Sequence, residues 1–433
     1  MNAPADLVSV VIPTHNRCAV LRIMLDALCR QAFPPEQMEV IVVMDGCDDG
    51  TAAMLHDYAA PFRLLSIAQD QQGPAAARNN GAAKAGGRLL IFFDDDVFPS
   101  PGCLAAHVDA HRGKADHVIV GAYLPALRSK STYAEMTLRA WWHDKFRAMN
   151  HPAHQFSYED CFSGNCSMSR DLFVCVGGFD ATFPCAHEDY ELGIRLLKAG
   201  ATLRYSPAAG AAHHIAANCT VSQMLLRSRR EAEADVLIGI RHPEMRPVLL
   251  AASYGQPDTR RARLMHWVAF SHPKIGDAAA TLLLRVLDVL QRAQLRRHWQ
   301  RLFTSLKHYW YLRGLADALG TKESLVTFLE DRVSDATEDD ELQIDLSDGI
   351  DHAIRQVDRL GPAGVRLVLG HHFIGRISPK PGHEPLRGIH LKRILATDFL
   401  SSLFTAWVQR TGIEQHPFPA AAELSVMVKR NRT

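Results

Sequence analysis

Arg88-Leu89-Leu90-Ile91-Phe92-Phe93-Asp94-Asp95-Asp96 is the stretch on which the fold turns. A short, unbroken apolar run bounded by polar residues is a strand buried on both faces. This one ends directly in three carboxylates. Similar runs recur upstream, with helical spacing between them. Val8 to Ile12 is continuous and β-branched, and Pro13-Thr14-His15-Asn16 breaks it. Val20, Leu21, Met24, Leu25 and Leu28 then return at helical intervals. Glu39 to Val43 is a second strand and Asp45-Gly46 a turn, after which Asp49 or Thr51 caps a short helix ending near Tyr58. Arg63 to Ile67 is a third strand. After Gly73-Pro74 an Ala-rich helix runs to Lys84 and stops at Gly86-Gly87. Strand and helix alternating four times predict an α/β fold with a parallel sheet covered by helices on both faces. Ligands of such sheets lie beyond the carboxyl ends of the strands. Pro13 to His15, Asp45 and Asp94 to Asp96 are therefore predicted on one rim.

Beyond this stretch the pattern changes twice. From Leu104 to His214 it is mixed, as expected for a half that completes the sheet and covers its binding edge. From Val221 to Arg332 it is mostly helical, with Leu282, Leu283, Val286 and Leu290 in one series and Trp299, Phe303, Leu306 and Trp310 in another. Residues 241–320 hold 13 Lys/Arg against 5 Asp/Glu, so this part is locally basic. An acidic stretch, Glu338 to Glu341, then introduces a second α/β pattern. It predicts a strand at Leu342 to Leu346, a helix at Gly349 to Leu360, a strand at Val365 to Leu369, a loop from His371 to Pro385, and a helix from Leu391 to Val408. The expected organisation is residues 1–220, a helical extension 221–336, and a small α/β domain 337–433. There is no internal repeat.

Composition narrows the class. With 433 residues, 47% of them hydrophobic, the chain can bury a large core and is not a disordered protein. A formal net charge of +1 excludes a globally basic nucleic-acid-binding protein. No run reaches the ~18 apolar residues of a membrane span, since Ala278 to Leu290 is short and carries Arg285 and Asp288. Met1 to Asp6 lacks the basic leader of a signal peptide. The 9 cysteines all fall between Cys18 and Cys219 without a C-x-x-C pair, which reads as reduced thiols and a cytoplasmic protein.

Candidate chemistry is carried by five groups of residues. Three adjacent carboxylates at a buried strand end repel one another unless a cation sits among them. The outer two could share Mg²⁺ or Mn²⁺, which are held by one or two carboxylates plus substrate phosphates. Asp45 fits either a hydrogen bond to a base or ribose or an ordinary turn before Gly46. His15 fits stacking on a base or a plain loop position, and Arg78 fits phosphate, the acidic cluster or a solvated helix face. His187-Glu188-Asp189-Tyr190-Glu191 opens a helix. Its acids complement the helix dipole, and one of them could also take a proton from a hydroxyl nucleophile. His213-His214 is a further candidate metal or diphosphate contact.

Taken in order, these motifs resemble a family 2 glycosyltransferase, an inverting, nucleotide-sugar-dependent enzyme of the GT-A fold. Val8-Ser9-Val10-Val11-Ile12-Pro13-Thr14-His15-Asn16-Arg17 is similar to the family's first strand and uridine-binding loop. Val42-Val43-Met44-Asp45 is similar to its second, with Met44 where an acid is usual. Ala77-Arg78-Asn79-Asn80-Gly81 and Asp94-Asp95-Asp96 follow as the next segment and the D-x-D. Ser163-Gly164-Asn165, Gly177-Gly178-Phe179-Asp180 and His187-Glu188-Asp189 resemble the acceptor-side motifs, and Arg195 the usual helix arginine. The resemblance is strong over residues 7–216, weaker to about residue 333 and absent beyond.

The resemblance implies a GT-A, Rossmann-like nucleotide-sugar domain and a hexosyl-type transfer in polysaccharide or glycoconjugate biosynthesis. It places Pro13, His15, Asp45 and Arg78 against the nucleoside, Asp94 on the ribose with Asp95 beside it, and Asp96 with His213 on Mn²⁺ or Mg²⁺. Asp189 is the implied general base, with Glu188 next to it. The implied partners are a UDP-type sugar donor and a carbohydrate, lipid-linked or small-molecule hydroxyl acceptor, and no nucleic acid. Trp141, Trp142 and Phe146 form either a stacking platform for the acceptor or core.

Two rival readings remain at this level: a nucleotidyltransferase that makes a nucleotide sugar, and a non-catalytic sugar-binding protein. The absence of glycine from Pro13-Thr14-His15-Asn16-Arg17 disfavours the first. The basic helices, with Trp299 and Trp310, suggest either peripheral contact with the inner face of the membrane or an ordinary helical cap. His371, His372, His383 and His390 are too irregularly spaced for a metal site.

Overall fold

The structure is a computed structural model and describes residues 7–126, 131–183, 186–214, 220–331 and 342–411. Met1 to Asp6 and the acidic Glu338 to Glu341 lie outside the described residues. The chain divides into two compact units, one of residues 1–150 with 157–333, the other of residues 151–156 with 334–433.

In the first unit the elements run β1 (Val8–Thr14), α1 (Cys18–Cys29), β2 (Met38–Asp45), α2 (Thr51–Asp57), β3 (Arg63–Gln69), α3 (Pro74–Lys84), β4 (Leu89–Phe93), β5 (Val97–Pro99), α4 (Cys103–Ala110), β6 (His117–Pro125), α5 (Tyr133–Met149), β7 (Asn165–Ser169), α6 (Arg170–Cys175), α7 (Glu188–Lys198) and β8 (Thr202–His213). They form an 8-stranded sheet in the order β3-β2-β1-β4-β7-β6-β8-β5. Pairing is parallel from β3 through β2 and β1 to β4, and again between β6 and β8. Only β7 and the short β5 run the other way within this sheet. The fold class is therefore the mainly parallel α/β sheet expected.

Burial explains the order. β1 and β2 are covered at every residue, as continuous apolar strands must be when helices lie on both faces. Helix α3 sits very close to the sheet: a Cβ on Gly81 would lie 2.5 Å from a Val11 methyl and 3.1 Å from one of Val43. Each buried Val, Ile or Phe of these strands stabilises the fold by roughly 1.5–3 kcal/mol.

Helices α8 (Val221–Arg241), α9 (Arg260–Ser271), α10 (Pro273–Arg292), α11 (Arg296–Leu319) and α12 (Lys322–Glu330) belong to the same unit. Their core includes Ile194 of α7 and Ala134 of α5. Trp299 is fully buried in that core and Trp310 packs against it. Trp299 is thus core, which removes it as a surface contact, and Trp310 is half-buried against that core.

The second unit holds β9 (Leu342–Asp345), α13 (Ile350–Leu360), β10 (Val365–Leu369), β11 (His372–Ile377), α14 (Gly388–Thr397) and α15 (Leu400–Thr411). β10 pairs parallel with β9 and antiparallel with β11. Two details differ from the sequence reading. His372 to Ile377 is a strand, not part of a loop. The last helix is interrupted at Asp398-Phe399, where Phe399 turns into the unit's core.

Candidate active site

The strand directions carry the predicted residues to one rim. Thr14, Asp45 and Phe93 end β1, β2 and β4, and His213 ends β8. Because β7 is antiparallel, its start lies at that same rim: Asn165 pairs with Phe93, and the Asp94 N–H donates to the Gly164 carbonyl at 3.3 Å. Space is tight at this point. A Cβ on Gly164 would lie 2.9 Å from Asp94 Oδ2 and 3.2 Å from the Tyr123 ring, so a larger residue here would press on the acidic triplet.

The loops after β1 and β2 are tied together. His15 Nδ1 donates to the Asp45 carbonyl at 2.6 Å, which fixes the proton on Nδ1. The His15 ring is otherwise exposed and Pro13 is buried. The Asp45 carboxylate accepts from Gln69 Nε2 at 2.9 Å and from the N–H groups of Gln72 and Gly73 at 2.7 and 2.8 Å. It shapes the turn into α3, and Oδ2 keeps one lone pair for a further donor. Asp49 accepts from the Cys18 N–H at the start of α1 and from Thr51 at the start of α2.

The three carboxylates of the triplet have different partners. Arg78 is buried and donates from Nη2 to Asp94 at 2.6 Å and from Nη1 to Glu188 at 3.1 Å, with its Cζ 5.4 Å from the Phe179 ring centroid. Burial opposes its charge, but Asp94 and Glu188 more than compensate and raise its pKa. Asp95 is buried and accepts from the Thr14 hydroxyl at 2.7 Å and from Arg17 Nη1 at 2.8 Å. Burial pushes its carboxyl up to about 6 in spite of Arg17. Asp96 accepts from the same Arg17 nitrogen at 2.9 Å, and its Oδ1 lies 3.6 Å from His213 Nε2. Burial pushes Asp96 up, but His213 and Arg17 prevail and hold it below the usual carboxylate range. Asp94 and Asp96, which the sequence suggested could share one cation, are thus directed to separate partners.

Asp96 and His213 still fit a hard cation. His213 Nδ1 is buried with no hydrogen-bond partner among the described residues, so the ring has donor capacity the chain does not use. No cluster of three His, Cys, Asp or Glu side chains suited to a metal occurs among the described residues. Mg²⁺ and Mn²⁺ do not require one where substrate phosphates supply the remaining oxygens.

At the start of α7, Asp189 Oδ2 accepts from the Ser163 N–H at 3.4 Å and Oδ1 from the Tyr190 N–H at 3.0 Å. Burial first, then the neighbouring Glu188 charge, push its carboxyl up to about 6 against His187, Arg78 and Arg227. That value places it near the pH at which a general base works best. Asn79, beside Arg78, locks the adjoining loop by accepting from the Phe179 N–H at 2.8 Å and donating to the Phe179 carbonyl at 2.7 Å.

Several functional neighbours were not legible as such. His187 adopts a left-handed backbone (φ +58°). Its Nδ1 lies 2.9 Å from Asp235 of α8, which also accepts from the Tyr311 hydroxyl of α11. Arg227, at the start of α8, pairs with Glu231 at 3.0 Å and is near enough to Asp189 to lower its pKa. Both contacts come from helices distant in sequence, and no local pattern announces them. Trp142 and Phe146 are core, whereas Trp141 is 47% exposed and meets Trp142 and Phe162 edge-on.

Residues 9–177 match the family model described as glycosyl transferase family 2. A validoxylamine A glucosyltransferase of Streptomyces hygroscopicus subsp. limoneus is 31% identical over 328 residues, covering 68% of this chain and 70% of the relative. The uncharacterized glycosyltransferase YfnE of Bacillus subtilis (strain 168) is 27% identical over 242 residues, covering 45% of this chain and 62% of YfnE. Among solved structures, the mannosyltransferase PcManGT of Pyrobaculum calidifontis, in complex with GDP-Man and Mn2+, aligns at 18% identity with a TM-score of 0.46. The alignment covers 72% of this chain and 86% of that one.

Proposed function

The chain belongs to glycosyl transferase family 2 and is a glycosyltransferase of the GT-A type, and from that premise we propose an inverting transfer of a sugar from a UDP-type donor to a hydroxyl acceptor, with Asp189 as general base. The observation that carries this reading is the Asp189 carboxylate. It is oriented by the Ser163 and Tyr190 N–H groups, raised to about 6, and placed beside the rim that holds Asp94 to Asp96.

Each residue then has a task. Pro13, His15 and the free lone pair of Asp45 receive the nucleoside, and Asp94 the ribose. Arg78 bears on the donor through Asp94, because its own guanidinium is buried between Asp94 and Glu188. Asp95 holds the β1 loop to the triplet through Thr14 and Arg17. Asp96 and His213 would hold Mn²⁺ or Mg²⁺, which when bound neutralises charge on the departing diphosphate. Asp189 takes the proton of the acceptor hydroxyl as that oxygen attacks the anomeric carbon from the side opposite the leaving diphosphate, so configuration inverts in one displacement. A positioned base is worth about 10²–10⁴ in rate. Trp141 offers the acceptor an exposed aromatic edge. The names of the relatives make glucose the first donor sugar to test.

The test uses water as the acceptor. UDP release from UDP-glucose is followed for the wild type and Asp189→Asn, with UDP binding measured by calorimetry in Mn²⁺ and in EDTA. Release by the wild type, its loss in Asp189→Asn with UDP affinity kept, and weaker binding in EDTA are expected. Equal release by both proteins removes Asp189 as the base, and unaltered binding and release in EDTA removes the cation from Asp96 and His213.

A further inference from the structure

The outward face of α10 is apolar. Ile275, Leu282, Val286 and Val289 stand seven, four and three residues apart, which puts them on one side of the helix. Ile275 is 68% exposed, and Leu282 and Val289 are each 61% exposed. The inward side is a different set, Gly276, Ala280 and Leu287, all buried. On α9, Leu264 and Trp267 are also in solvent, Trp267 at 54%.

This apolar face has a basic border. Lys274 and Arg285 flank it along one edge of α10, Arg292 continues it, and all three are exposed. Residues 260–297 contain eight Lys/Arg and two Asp/Glu. One of those acids, Asp277, is taken up internally by the Tyr309 hydroxyl at 2.6 Å and by Arg313 at 3.2 Å.

We propose that the α9–α10 face docks the protein on an anionic lipid surface. A helix lying in the headgroup region needs an apolar strip to insert and cationic neighbours to attract phosphate, and Trp favours that depth. The border decides between occupants. A second copy pairing antiparallel on the same patch would set this basic edge against the same edge of its partner, Lys274 towards Arg292 and Arg292 towards Lys274. An anionic bilayer complements them instead. The inference rests on residues outside the transfer site and is independent of the reading given for that site.

The experiment is co-sedimentation of the full chain with vesicles of phosphatidylcholine alone and with vesicles containing about 30 mol% phosphatidylglycerol. Pelleting with the anionic vesicles only, weakened by salt, is expected. Leu282→Glu/Val289→Glu should reduce binding by about tenfold or more. Lys274→Gln/Arg285→Gln/Arg292→Gln should also weaken it and flatten its salt dependence, which decides the matter if the first variant folds poorly. Equal pelleting with neutral vesicles, or none with either, overturns the proposal. So does a dimer in light scattering that Leu282→Glu/Val289→Glu converts to monomer, because the face would then belong to a second copy.

Discussion

In the mechanism proposed, Asp189 and Arg78 together set the chemistry of the rim. Ionised Asp189 is the active form of a base, and its carboxyl is pushed up to about 6. Lowering the pH through that value protonates it, so kcat/KM should fall about tenfold per pH unit below about 6. A stopped assay from acid to neutral pH checks this, and a flat profile would place the base elsewhere. Arg78 lowers the Asp189 pKa while bridging Asp94 and Glu188. In Arg78→Met these carboxylates lose their common cation. Breaking a buried pair in this way costs about 3–5 kcal/mol, seen as a lower denaturation midpoint. The same change removes positive charge near Asp189, so the acid limb of the remaining activity should move to higher pH. An unshifted limb would show that Arg78 acts on the fold alone.

The start of α7 is held by an element far away in sequence. His187 occupies a left-handed backbone position that costs a non-glycine residue about 1–2 kcal/mol, and Asp235 of α8, itself bonded by Tyr311 of α11, secures the ring. Asp235 thus positions Asp189 through His187. Burial lowers the His187 pKa, but the Asp235 pairing outweighs it and raises the value. Asp235→Asn should leave His187 less often charged, deprive Asp189 of a nearby cation, and move the acid limb upward. The expected loss is about tenfold in kcat, with donor KM little changed. An altered donor KM with an unmoved limb would assign Asp235 a merely structural part. This tether also shows where sequence reading stops. β1, β2 and β4 are legible because double burial forces continuous apolar runs, β3 is a partly exposed edge strand read from its place in the alternation, and the triplet is legible because it interrupts a run. Asp235, Tyr311 and Arg227 reach the site only through tertiary packing of α8 and α11. β11 was hidden because His372-Phe373-Ile374-Gly375-Arg376-Ile377 follows the two-residue turn Gly370-His371 and lacks a clean apolar run. The interruption before α15 was hidden because Leu391 to Val408 keeps helical spacing across Asp398-Phe399, and only Phe399's place in the core reveals the turn.

At the level of the whole molecule the two units bury separate apolar sets, among them the sheet strands and the helices around Trp299 in the first and the tail around Leu391 in the second. The chain does not pass from one unit to the other only once. Residues 151–156 leave the first unit between α5 and Ser157 and belong to the second. There the Phe156 N–H donates to Glu384 Oε1 at 3.1 Å, the Glu384 N–H donates to the Phe156 carbonyl at 2.8 Å, and Gln155 Nε2 donates to the Glu384 carbonyl at 2.9 Å. Arg387 also pairs with the Glu384 carboxylate at 3.0 Å. Glu384 is buried, so removing its side chain leaves the Phe156 N–H with its bond broken at a cost of about 1–3 kcal/mol. The two pairings made by the Glu384 backbone survive the substitution. In Glu384→Ala, amide exchange should therefore quicken first at Phe156 and in the neighbouring 151–156 segment. The amides of β1 and β2 should keep their protection, because their bonds lie wholly within the sheet of the other unit. Hydrogen exchange read by mass spectrometry distinguishes the outcomes. Loss of protection in β1 and β2 together with 151–156 would mean that the two units unfold as one cooperative body, and the tail would then be a stabilising part of the transferase unit and not a separately folded one.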